Sequence, residues 1–97
     1  MVDLVFKKHI RNNELTFALC DSDILGKKFE ENNEVIDLTC NFFNGSVVNS
    51  NDLKKIIPTA KSGIAVGNSS AELIKELFDD VDVRFIDRIP MINIFRF

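Results

Sequence analysis

FALCDSDILGKKFEE, residues 17–31, decides how the first half of the chain is built. An alternating apolar run ends at Cys20, meets the polar trio Asp21, Ser22 and Asp23, and passes into ILGKKF. A side-chain oxygen of Asp21 or Ser22 can accept from the unpaired amides of a first helical turn, so the stretch predicts a strand handing over to a short helix. Gly26 weakens such a helix by about 0.8 to 1 kcal/mol relative to alanine, which limits it to one or two turns. Ile24, Leu25 and Phe29 would dock it on the strands before it.

Upstream, Val2, Leu4 and Phe6 alternate with Asp3, Val5 and Lys7, and Leu15, Phe17 and Leu19 alternate with Glu14, Thr16 and Ala18. Asn12-Asn13 lies between the two runs, and asparagine tolerates the left-handed backbone of a tight reversal, so the pattern predicts a hairpin. That turn sets His9 opposite Thr16 and Val5 opposite Cys20.

Downstream, EVIDLTCNFF reads as a third strand, and Asn44-Gly45 before Ser46-Val47-Val48 predicts a second hairpin. Ser50 is positioned to cap a helix carrying Leu53, Ile56 and Ile57 on one face, with Pro58 halting it. GIAV, residues 63–66, is apolar throughout, as a strand buried on both faces would be. Ser69 and Glu72 have capping-box spacing ahead of Leu73, Ile74, Leu77 and Phe78, which predicts the second longer helix. Val81, Val83 and Phe85 alternate with Asp82, Arg84 and Ile86, and MINIFRF after Pro90 forms a last strand, with Phe95 and Phe97 expected in the core. The expected class is α+β: one domain over residues 1–97, with a mainly antiparallel or mixed sheet and two or three short helices.

The 97 residues suffice for a core burying roughly 60 to 65% of the unfolded surface without staples. Nine phenylalanines stand beside no tryptophan and no tyrosine, so the aromatic content is core-forming. A formal charge of −3 excludes a global pull on phosphate backbones and leaves local basic patches open. No stretch approaches the ~18 consecutive apolar residues of a membrane span, so the chain reads as soluble and unprocessed, without a membrane partner. Cys20 and Cys40 form neither a CxxC pair nor a disulfide framework, and a reducing cytoplasm is the simplest setting.

Candidate chemistry is sparse. A nucleophilic Cys20 needs a base, and His9, the only histidine, sits four residues from the position opposite Cys20, beyond hydrogen-bond reach at ~3.3 Å of rise per residue. A small buried thiol followed by a cap is the alternative, and no residue is assigned a catalytic role. Gly26-Lys27-Lys28 lacks the remainder of a phosphate loop, and Lys27 and Lys28 are left as an exposed basic spot or an ordinary solvated face. Gly67, Asn68, Ser69 and Ser70 follow a buried strand and open a helix, a geometry in which free amides favour an anion or simply a cap. Arg84 and Arg88 share a strand face with Ile86, while Ile92, Ile94 and Arg96 share a face of the next. Arginine interleaved with apolar groups suits RNA or a protein partner; the alternative is a second buried face whose arginines pair with Asp82 and Asp87. One histidine, two distant cysteines and scattered carboxylates give no metal-ligand set, and no cofactor is signalled.

ALCDSDILGKKFEE, FFNG, AVG and IPMINIFRF together resemble the archaeal family of uncharacterised proteins known as domain of unknown function 424, over nearly the whole chain. Cys20, Asp21, Leu25, Gly26, Lys27, Phe29, Gly45 and Gly67 match its cysteine-aspartate, leucine-glycine-lysine and glycine elements. Many members resemble one another in a valine-proline-histidine run near the C-terminus with a nearby glutamine, where this chain has Pro90, Met91 and Asn93. A role resting on a histidine there does not carry over, and the resemblance implies no activity.

The expected function is non-catalytic binding in the cytoplasm, through Arg84, Arg88, Arg96, Lys27, Lys28 and Asp21, to RNA or a translation-associated assembly. A homodimer burying Ile86, Ile92 and Ile94 across a two-fold axis is the alternative, and a Cys20-based enzyme the third reading.

Overall fold

Asn12 and Asn13 both adopt left-handed backbone conformations, φ 54 and 62. They close the hairpin between β1 (Leu4–Arg11) and β2 (Glu14–Asp21), with Val5 opposite Cys20 and His9 opposite Thr16. The structure is a computed structural model and describes residues 2–96.

Beyond β2 the chain departs from the helix expected at Asp21 or Ser22. Residues 22–26 form turns, and β3 (Lys28–Glu31) and β4 (Glu34–Asp37) build a second hairpin closed by Asn32-Asn33 at φ 50 and 67. The reason is long-range pairing. The Gly26 amide donates to the Leu38 carbonyl and the Leu38 amide to that of Lys27, both at 2.9 Å, groups a helix would have used locally. Gly26 at φ 86 supplies the reversal. Ile24, Leu25 and Phe29 do pack inward, but from a turn and a strand.

The strand expected over EVIDLTCNFF ends at Asp37, and Asn41–Phe43 forms a 3-10 turn. Asn44-Gly45 closes no hairpin with β4. The Gly45 backbone instead lies against Phe6, where a Cβ would stand 2.1 Å from the Phe6 carbonyl oxygen. This close approach lets β5 (Ser46–Val47) pair with β1, with Val5 opposite Val47 and Phe6 opposite Ser46. Helix α1 (Ser50–Ile56) is capped by Asn49 rather than Ser50: the Asn49 side chain accepts from the Asp52 amide at 2.9 Å. Pro58 ends the α-helical geometry as expected, within a 3-10 turn over Ile57–Thr59. The remaining elements are β6 (Ser62–Val66), α2 (Asn68–Leu77), β7 (Val83–Ile86) and β8 (Ile89–Phe95).

Six strands form one sheet in the order β5-β1-β2-β6-β8-β7, mixed because β2 and β6 run parallel. The architecture is α+β. Leu4, Phe6, Phe17, Leu19, Ala65, Ile92 and Ile94 pack under α1 and α2 through Leu53, Leu73 and Ile74. Ala18, Cys20, Val66 and Ile86 pack on the other face against Ile36, Leu38 and Phe43 from the β3–β4 hairpin and the 3-10 turn. The central strand β6 is covered on both sides, which explains its unbroken apolar run.

Two expectations at the C-terminal strands fail. Ile86, Ile92 and Ile94 are 2%, 0% and 7% exposed and divide between the two cores, so they offer no apolar surface for a two-fold partner. Phe95 is 74% exposed, because its place in β8 faces away from the helices, beyond the reach of the hairpin layer. Phe97 lies outside the described residues. Among the described residues no helix is long and apolar enough to cross a membrane.

Candidate functional site

Asp21 ends β2 beside its parallel neighbour β6, which runs through Gly67 into α2. Its carboxylate reaches the open amides of that helix. Oδ2 accepts from the Ser69 amide at 3.0 Å, and Oδ1 accepts from the Ser70 amide at 2.8 Å and the Ser70 hydroxyl at 2.7 Å. Asp21 is 4% exposed and Ser70 fully buried. Gly67, the residue preceding α2, stands at φ 112, and a Cβ there would lie 2.4 Å from the Asp21 carboxyl carbon. The helix is therefore capped across the sheet by Asp21, and not by the Ser69-Glu72 box. The anion expected at Gly67, Asn68, Ser69 and Ser70 is supplied by the chain itself, which removes both that site and Asp21 from any exposed binding surface.

The same geometry encloses Cys20. The thiol is fully buried, donates to the Asp21 carbonyl at 3.2 Å, and is pushed up to about 12 by burial and then by the charges of Asp21 and Asp23. No thiolate forms there near neutral pH.

The basic residues picked from sequence do not converge. Arg84 pairs with Glu34 of β4. Arg88 sits in the β7–β8 turn at φ 67 instead of on the strand face with Arg84, next to Asp87, whose amide donates to Glu31. Arg96 lies at the far end of β8, five residues past the partner of Arg84, or ~17 Å at strand rise. Its guanidinium donates to the Pro58 carbonyl and lies 5.6 Å from the Phe78 ring centroid. Lys28 pairs with Glu30 at 3.5 Å, and Lys27 is exposed in the turn before β3. Tertiary pairing has absorbed Arg84 into the hairpin layer and put the rest on different edges.

What the structure does assemble is a row across the sheet that sequence reading missed. The hairpin layer covers only the end of the sheet holding Cys20, Val66 and Ile86. At the other end His9, Thr16, Ser62 and Phe95 stand side by side on β1, β2, β6 and β8, as the pairings His9–Thr16, Thr16–Ser62 and Ser62–Phe95 require. Strand spacing makes the row ~14 Å wide. The His9 ring stacks on Phe42 with centroids 4.3 Å apart and planes 7° from parallel, and its Nε2 donates to the Phe42 carbonyl at 3.0 Å. Lys7 holds the same 3-10 turn by donating to the Asn41 carbonyl at 2.6 Å. Between the two aromatic ends the Thr16 and Ser62 hydroxyls are 2.8 Å apart. Arg11 is exposed on the same face, and a concavity of about 550 Å³ opens beside His9, Arg11, Thr16 and Phe42. The signal available in sequence was the period of two from Ala18 and Cys20 back to Thr16, and from Met91 out to Phe95, which sets these residues on one face. Among the described residues no cluster of histidine, cysteine and carboxylate groups could hold a metal ion.

Comparison with known proteins supports the architecture and adds no chemistry. No curated protein matches the chain. A crystal structure of an uncharacterized conserved protein from Methanopyrus kandleri superposes with a TM-score of 0.77 at 14% identity, covering 94% of this chain and 89% of that one, and so shares its fold. The model of the family described as protein of unknown function (DUF424) matches residues 9–97, which include the Asp21 cap, the Gly67 turn and the whole open row; the chain belongs to that family.

Proposed function

We propose that this protein is a non-catalytic binding module of the cytoplasm whose partner is single-stranded RNA, held on the uncovered half of the sheet. The observation that carries the reading is the row His9, Thr16, Ser62 and Phe95, flanked by Phe42. Two aromatic platforms stand at the ends of a flat polar strip, an arrangement on which unpaired bases stack while hydroxyls meet their edges or the 2′-OH. Arg11, exposed on the same face, borders the strip and supplies a positive charge for the backbone. The buried, protonated Cys20 supports a role without nucleophilic catalysis.

Fluorescence anisotropy with a single-stranded RNA and a hairpin RNA, each at two salt concentrations, tests the reading. The single strand binds more tightly, and its affinity falls steeply with salt. Phe95→Ala and His9→Ala each cost about 1 to 3 kcal/mol of binding, as the loss of one stacked base does, while Arg84→Ala leaves it unchanged. Absence of binding at low salt, insensitivity to salt, or an Arg84→Ala effect equal to that of Phe95→Ala refutes the assignment.

A further inference from the structure

The outer edge of β1 is covered for only part of its length. β5 pairs with Val5 and Phe6, and the residues before it, Asn41 to Gly45, contact Lys7 and His9 through a 3-10 turn without adding to the ladder, so among the described residues no strand pairs with the outer edge from Lys8 to Arg11. The Leu4 carbonyl accepts from Val48 on this edge, and backbone groups of a strand alternate sides, so Lys8 and Ile10 direct their N–H and C=O groups outward. Ile10 is 71% exposed. Concavities flank the edge on both sides of the sheet: one of about 490 Å³ bounded by Phe6, Lys8, Val48 and Ile56, the other the 550 Å³ hollow beside His9 and Phe42. An added strand needs both, since its side chains alternate between the two faces.

We propose that this edge receives an extended acidic peptide, which adds to the sheet as a further strand antiparallel to β1. The occupant follows from the charges along KKHIR, residues 7–11. A second copy is disfavoured in both antiparallel registers that set Lys8 against Lys8 or Ile10: with Lys8 opposite Ile10, Lys7 meets Arg11, and with Lys8 opposite Lys8 the ammonium groups meet. Like charges directly across a ladder destabilise it, and opposite charges stabilise it, so the lysines that block self-association select an acidic strand with apolar residues between its carboxylates. The site uses the backbone edge and the side chains of Lys8 and Ile10, which lie on the helix side of the sheet, and shares the hollow beside His9 and Phe42 with the open row.

The test is amide chemical-shift mapping and hydrogen exchange of the full chain titrated with a peptide alternating glutamate and valine, and with one alternating lysine and valine. The acidic peptide binds more tightly, by roughly two- to fivefold as one opposite-charge cross-strand pair at Lys8 provides, and slows exchange of the Lys8 and Ile10 amides. Lys8→Glu reverses the preference, and Ile10→Pro, which removes only an outward amide, abolishes the protection. If Ile10→Pro fails to fold, Lys8→Glu alone decides the matter. Equal binding of the two peptides, shifts confined to His9 and Phe95, or protection that grows with protein concentration alone, as a second copy on the edge would cause, overturns the proposal.

Discussion

Replacing Asp21 with alanine removes the acceptor for the first turn of α2 without touching either hydrophobic core. Two of its three donors, the Ser70 amide and hydroxyl, belong to a fully buried residue and find no water when the carboxylate is gone. At about 1 to 3 kcal/mol for each buried unsatisfied group, and with some relaxation, these cost about 3 kcal/mol. The Ser69 amide is partly exposed and rehydrates at little cost. Loss of a negative charge at the helix N-terminus adds about 0.5 to 1 kcal/mol, for a total near 3 to 4. Asp21→Asn keeps the Oδ1 bonds to Ser70 and turns an amide NH2 toward the Ser69 amide, so it costs about 2 kcal/mol. Against a stability of ~5 to 15 kcal/mol for a domain of this size, the alanine variant removes a large share. Urea unfolding followed by circular dichroism measures both variants, with an unchanged m-value expected because the fold is retained. Adding Ser70→Ala to Asp21→Ala costs less than the sum of the single changes, since the hydroxyl no longer needs a partner. A loss below about 1 kcal/mol for Asp21→Ala, or strict additivity with Ser70→Ala, refutes the reasoning.

Gly67→Ala meets both a positive φ and the Asp21 carboxyl, and is expected to lower stability by roughly 2 to 4 kcal/mol in the same urea assay. A neutral alkylating reagent labels Cys40 promptly in the folded protein and Cys20 only on unfolding, which mass spectrometry of the labelled chain resolves. The folded Cys20 thiol keeps its proton up to about 12 while its ordinary value is 9.0, so this stabilisation is complete below pH 9 and is lost as pH rises through 12; Cys20→Ala flattens that alkaline decline in thermal melts. Thr39 donates its hydroxyl and amide to Asp37 and holds that carboxyl below its ordinary value; Thr39→Val raises it, as a carbon-detected NMR titration would show. Phe95→Ser leaves stability within about 0.5 kcal/mol, because its ring lies outside the cores.

Local rules accounted for much of the scaffold. Asn12-Asn13 between two alternating runs defined the first hairpin and its register, and the all-apolar GIAV marked the central strand, because both patterns are set by residues adjacent in sequence. The same rule applied to Asn32-Asn33 would have shown the second hairpin. Against it stand Asp21 and Ser22, whose side chains have the chemistry of helix caps.

Capping was indeed the task of Asp21, for a helix 48 residues away instead of the one adjoining it. Chain order supplied the acceptor, the glycine that admits it and the serines that donate, but only closure of the β2–β6 parallel pair brought them together. The uncovered row follows the same logic. Alternation assigned His9, Thr16, Ser62 and Phe95 to their faces, whereas their union into one strip, and its exposure, depended on where the β3–β4 layer stopped. Hydrophobic periodicity is a property of each strand alone; strand neighbours and the extent of a covering layer are fixed by packing between distant segments.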